Sequence, residues 1–236
     1  DQVFKNIVAQ KREKYGSGET VIIGAHYDTC FNPGADDNAS GVAGIVELAR
    51  LLKDYPLKRP IKFIAFVNEE PPFFMTESMG SRVYVKTAKQ RGENIKAAII
   101  LEMIGFYSER MNSQRYLPLL GPFYPNRANF IAVVGNFASS RIVRGVVSNF
   151  KKYSEFPVES IVSPSFIPGI NFSDHWSFWK EGFPAVMVTD TAYLRSRHYH
   201  QPGDLPDTLD YEKTAVMLHG LKSSIIAFVN MENLKK

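Results

Sequence analysis

The 236-residue sequence predicts an α/β fold: a single domain spanning residues 1–236, with a mostly parallel, mixed central sheet and helices on both faces. Three observations lead there. Short apolar runs rich in β-branched residues alternate with segments of helical periodicity. The runs are apolar almost throughout, as strands buried on both faces are. No internal repeat, low-complexity tract or linker divides the chain, and its length suits one domain with a sizeable core.

The elements follow in order. Residues 20–25 form the first buried strand. Residues 39–53 place Val42, Ile45, Val46, Leu48, Ala49 and Leu52 at helical spacing, with Ser40 near the start and Pro56 beyond the end. Residues 61–67 read as a second strand, 81–91 as a helix closed by Gly92, and 97–103 as a third strand. A fourth strand covers 130–135 and its helix 139–153. Residues 158–162 are strand-like, 173–181 a short helix stopped by Gly182, 185–188 another strand, and 211–230 a long terminal helix. The stretches 105–129 and 189–210 have no regular pattern but carry many aromatics, including Tyr116, Tyr124, Tyr193 and Tyr199. Irregular segments this long are expected to serve a site, here as pocket walls.

The net charge of +4 is small and the basic residues are scattered, so the stripe that nucleic-acid binding requires is absent. No apolar run approaches the roughly 20 residues of a membrane span. The start, Asp1 to Lys5, has no signal-peptide pattern, and a mature or trimmed chain is expected. Cys30 is the only cysteine, which excludes an intrachain disulfide. It follows the His26 strand closely, which allows a place near the site, but the expected reading is a small buried hydrophobe.

In open α/β sheets ligands bind beyond the carboxyl ends of the strands. His26, Glu70 and Glu102 fall at or near such ends, and Asp37 lies on a loop entering a helix. Asp28, two residues after His26, suits the carboxylate that commonly orients a metal-bound imidazole. Glu69 and Glu70 follow an apolar run, where a turn lets one bind metal and the other reach a water. The Asp36-Asp37 doublet sits among small residues and reads either as a turn with a helix cap or as a metal approach.

These motifs, taken in order, resemble peptidase family M28. The set is His26-Tyr27-Asp28-Thr29, Gly34 to Gly41 (GADDNASG), Asn68-Glu69-Glu70-Pro71, Met79-Gly80-Ser81, Leu101 to Gly105, Ser173-Asp174-His175, and Tyr199-His200 with Asp204. The resemblance implies a zinc-exopeptidase-like three-layer sandwich and a zinc-dependent aminopeptidase acting on peptides with a free N-terminus. It also implies two Zn2+ ions per chain. Asp37 would bridge them, His26 and Glu102 would complete one site, and Glu70 and His200 the other. Glu69 would be the general base, Asp28 would orient His26, and Tyr199 would donate to the oxyanion. A cis Asp37–Asn38 peptide is implied as well, and an extracytoplasmic location by family habit. Glu102 departs from the pattern, where aspartate is more frequent, so the second ion is the less firmly implied.

Phe73 and Phe74 are the candidate substrate-binding residues, favouring an apolar N-terminal residue. Two rival readings share the scaffold: a glutaminyl-cyclase-like acyltransferase with one zinc, and a binding domain without catalysis. The intact ligand set favours the peptidase over both.

Overall fold

The computed structural model describes residues 3–12, 18–118 and 120–231. Among these, the strands are β1 Ile7–Lys11, β2 Thr20–His26, β3 Ile61–Phe66, β4 Ile95–Glu102, β5 Ile131–Gly135, β6 Val158–Val162 and β7 Ala185–Thr189. They form one sheet in the order β1-β3-β2-β4-β7-β5-β6. β2 pairs parallel with β3 and β4, β4 with β7, and β5 with β6. β1 against β3 and β5 against β7 run antiparallel, which makes the sheet mixed.

The helices are α1 Gly41–Leu52, α2 Gly80–Gln90, α3 Ser140–Tyr153, α4 His175–Lys180 and α5 Tyr211–Asn230. The two-residue period of the strands sorts their side chains between two cores. Val21, Ile23 and Ala25 face α1, α3 and α5, packing with Leu48, Val146 and Ile225. Ile22 faces the other way, joining Phe66, Ala98 and Ile100 beneath Val85 of α2 and Phe178 of α4. A third cluster, Phe130, Ala132, Val134, Ile170 and Met187, continues that second face across β5 and β7.

Strand β1 is not anticipated by the sequence pattern. Ile7, Val8, Ala9 and Gln10 are all exposed, so neither alternation nor a continuous buried run marks them. An edge strand held by ladder bonds to β3 alone leaves little hydrophobic signature. The helix expected from residue 39 starts at Gly41 instead. Asp37 (φ −105, ψ 86) and Asn38 (φ −135, ψ 40) depart from helical geometry, and the peptide between them is cis. At Gly41, a Cβ would lie 2.3 Å from Asn38 Oδ1 and 2.9 Å from the Leu101 carbonyl, so α1 can begin there only with glycine.

The helix expected from Ser173 begins at His175, whose ring is fully buried edge-on to Trp179, with centroids 4.5 Å apart. Its Nε2 lies 2.7 Å from the Ile170 carbonyl, which fixes that nitrogen as the donor. Burial holds His175 down at about 4, below its ordinary 6.5. The unfolded chain therefore takes up the proton first. The stability that neutral His175 contributes is full above about 6.5 and is lost as pH falls toward 4. Urea unfolding from pH 7 to 4.5 should show wild type losing about 2–3 kcal/mol more than His175→Gln. Parallel pH profiles would contradict it.

Candidate active site

Strand ends and the loops after them deliver the candidate metal ligands and Glu69 to one edge of the sheet. β2 ends on His26 and β4 ends on Glu102, two neighbours in the sheet. Asn68, just after β3, takes a left-handed φ of 59 and turns Glu69 and Glu70 inward. Both of their backbone N–H groups donate to the Asp28 carboxylate, at 3.2 and 3.0 Å. Met103 (φ 47) and His200 (φ 54) show the same strained backbone beside the ligands.

The centre of the cluster is Asp37. Its Oδ1 lies 3.3 Å from His26 Nε2 and its Oδ2 lies 3.2 Å from His200 Nε2. Glu102 Oε2 stands 3.4 Å from His26 Nε2, and Glu70 Oε2 stands 3.3 Å from His200 Nε2. Glu69 Oε2 is farther, 3.9 Å from His26. One carboxylate thus faces two imidazoles, and each imidazole faces a further acid.

His26 shows what the arrangement demands. Its Nδ1 donates to the Asp28 backbone carbonyl at 3.1 Å, which turns Nε2 toward the acids. Burial opposes a charge on the ring, but Glu102, Glu69, Asp28 and Asp37 outweigh it and raise the ring's proton affinity well above its ordinary value. His26 is 1% exposed and Nε2 has no hydrogen-bond partner. Carboxylates buried this close to Nε2 need positive charge among them, either a proton on the ring or a metal cation. Donor atoms about 2.0–2.2 Å from a tetrahedral zinc stand about 3.3–3.5 Å apart. The four closest imidazole–carboxylate separations, 3.2 to 3.4 Å, match that edge. The donor set, imidazole and carboxylate, is the one zinc accepts. The residues therefore fit a metal pair.

The electrostatics agree. Burial pushes the Glu69 carboxyl well up, with His26 opposing and Glu102, Asp174 and Glu70 adding. Burial likewise raises Glu102 and Glu70. Burial alone would raise Asp37 too, but His200 and His26 hold it at about 2. Asp37 and Glu70 in turn raise His200 to about 10. Asp174, wholly buried beside these groups, is pushed up to about 7 by burial, with His26 and Ser81 opposing.

The sequence profile of Peptidase family M28 matches residues 6–225. The chain belongs to this family. Among curated relatives, the uncharacterized protein YfbL of Escherichia coli (strain K12) is 44% identical over 230 residues, covering 92% of this chain and 69% of that protein. Aminopeptidase YwaD of Bacillus subtilis (strain 168) is 43% identical, covering 90% of this chain and 45% of that protein. The chain spans about half the length of most of these relatives, such as 50% of a probable leucine aminopeptidase of Arthroderma otae (strain ATCC MYA-4605 / CBS 113480) that is 29% identical over 84% of this chain. Among solved structures, BSAP, a zinc aminopeptidase from Bacillus subtilis, superposes with a TM-score of 0.75 at 24% identity, covering 98% of this chain and 51% of that one. A Bacteroides thetaiotaomicron glutaminyl cyclase superposes less well, with a TM-score of 0.63 at 18% identity, covering 97% of this chain and 77% of that one. Both share this chain's fold.

The structure brings together all five residues expected as ligands, His26, Asp37, Glu70, Glu102 and His200, with Glu69 beside them. Asp28 meets His26 through its backbone carbonyl, while its carboxylate, 3.7 Å from His26 Nδ1, clamps the Glu69–Glu70 turn. The ring of Tyr199 stacks on His200 with centroids 3.8 Å apart. Phe73 packs edge-on to Phe4, and Phe74 packs edge-on to Phe172, a wall of the neighbouring cavity whose lining includes neither of the pair.

Several supporting groups carry no role in the sequence reading. Asp204 accepts the N–H groups of Asp36 and Asp37, at 2.9 and 3.1 Å. Ser173 Oγ donates to Glu102 Oε2 at 2.7 Å. The Asn38 side chain donates to the Leu101 carbonyl and accepts from Gly41 and Met103. Their only signal is membership of the quoted motifs.

One consequence concerns protons. With its pKa at about 10, His200 is protonated in the metal-free protein at pH 7. Metal binding must expel that proton, so affinity should rise with pH up to about 10. Calorimetric titrations with zinc at pH 7, in buffers of different ionisation enthalpy, should give release of at least about one proton per chain. Heats independent of the buffer would contradict this.

Proposed function

We propose that this chain is a zinc-dependent aminopeptidase with two zinc ions, cleaving the N-terminal peptide bond of peptides whose first residue is apolar. The single observation that carries the reading is Asp37, which offers one oxygen to each of two imidazoles that have carboxylate partners of their own. His26, Asp37 and Glu102 would hold one ion, and Asp37, Glu70 and His200 the other. When bound, zinc polarises a carbonyl and lowers the pKa of water from near 16 to about 7.

The chain's own groups supply the rest. Glu69 is buried, and that burial raises its proton affinity, so it can take a proton from the attacking water and return it to the leaving amine. The excess of carboxylates over cations attracts the α-ammonium of a free N-terminus. The Tyr199 hydroxyl, on the ring stacked against His200, would donate to the developing oxyanion. Asp28 and Asp204 hold backbone, keeping Glu69, Glu70 and Asp37 aimed inward.

The side-chain preference comes from a cavity of about 120 Å³ that opens beside Glu102 and Tyr199. Tyr116, Tyr124, Phe172, Met187 and Tyr193 line it. Walls of this kind favour an apolar side chain.

The main test is Glu69→Gln, whose amide cannot accept the proton. Hydrolysis of leucyl-anilide should fall by about 10²–10⁴-fold with zinc content unchanged. Full activity in that variant would sink the assignment. Tyr199→Phe should lower kcat on the order of a hundredfold and leave KM nearly untouched, as loss of one oxyanion donor does. An unchanged kcat would remove Tyr199 from the chemistry. Cyclisation of an N-terminal glutamine peptide in place of hydrolysis would favour the acyltransferase reading.

A further inference from the structure

Cys30 lies on the loop between β2 and the Asp36–Asp37 turn, outside the five-residue ligand set. Its Sγ, a ring nitrogen of His200 and a carboxylate oxygen of Glu70 all lie within 4.8 Å of one another. The side chain is only half-buried, so the apolar burial expected for it does not explain its position. Glu70 supplies an independent observation. It is 4% exposed and its Oε1 has no hydrogen-bond partner, while its Oε2 faces His200. An orphaned buried acceptor beside a thiol and an imidazole points to a cation shared by all three.

The other half of the cluster differs. His26, Asp37 and Glu102 offer only nitrogen and oxygen donors. Cys30 belongs neither to that group nor to the lining of the apolar cavity.

Building on the metallopeptidase reading, we propose that the Cys30 thiolate ligates the metal held by Asp37, Glu70 and His200. The S–H bond breaks, its proton leaves to solvent, and a sulfur lone pair forms the bond to the metal, with no change of oxidation state. Sulfur is the softer donor, so the two positions differ in preference. The Cys30 position favours zinc or cadmium, and the His26 position also accepts manganese.

The test uses the intact chain, stripped of metal and titrated with Co2+ and Zn2+. The cobalt form should show one thiolate-to-metal charge-transfer band per chain, absent in Cys30→Ser and in Cys30→Ala. Zinc-edge X-ray absorption should find one sulfur at about 2.3 Å in wild type. Affinity at one position should fall roughly 10- to 100-fold in the variants, at least the loss seen when a supporting partner is removed. Zinc should also protect the wild-type thiol from alkylation, and that arm needs no variant. Metal-loaded wild type without a sulfur signal, alkylating as fast as the stripped protein, overturns this proposal alone. A chain that binds no metal overturns the metallopeptidase reading and this proposal with it.

Discussion

Uncompensated like charge is the constraint on which the site depends. Asp37, Glu69, Glu70, Glu102 and Asp174 are all buried, and the cations they meet are His26 and His200. Ionised carboxylates removed from water are costly, and two imidazoles cannot offset five of them. Without metal the cluster keeps protons, which is why burial raises Glu69, Glu70 and Glu102. Divalent cations would neutralise the same groups and let them ionise. The separation of about one tetrahedral edge between donors follows from that requirement.

Holding repelling groups together takes a framework, and the loops beyond the strands provide it. The segment after β2 and the segment after β4 are bonded to each other. Gly105 donates to Asp36 Oδ1, Ile104 to Ser40 Oγ, and Met103 to Asn38 Oδ1. Asp204 ties the region just after His200 to the same turn. Behind it, Asp190 and Asp36 form a second buried acid pair, balanced by Arg195, whose guanidinium also donates to the Phe106 and Phe130 carbonyls. Left-handed backbone at Asn68, Met103 and His200 is local strain that this framework maintains.

Much of this was legible in the sequence, for a physical reason. The central strands are buried on both faces, so β2, β3, β4, β5 and β7 appear as apolar runs, and the acids stand out where those runs stop. The boundary errors fall where local chemistry overrides periodicity, as at Gly41 and His175. Strand β1 was invisible because an exposed edge carries no hydrophobic pattern. Among site residues, His26, Asp37 and the Glu69–Glu70 pair announce themselves by charge. The parts played by Asp28's backbone carbonyl, Asp204 and Ser173 do not, because hydrogen bonds between distant loops leave no periodic trace. Phe73 and Phe74 illustrate the converse. An aromatic pair next to paired acids looks like a pocket wall, yet the cavity lining comes from Tyr116, Tyr124 and Tyr193 of the irregular stretches, and Phe74 packs on one lining residue, Phe172.

The central claim is that divalent cations occupy the space between the two imidazoles. Anomalous diffraction at the zinc edge, from crystals soaked in zinc, tests it most directly. Two peaks are predicted for each chain, one on either side of Asp37, within bonding reach of His26 and His200. A map with no anomalous peak between residues 26 and 200 would contradict it.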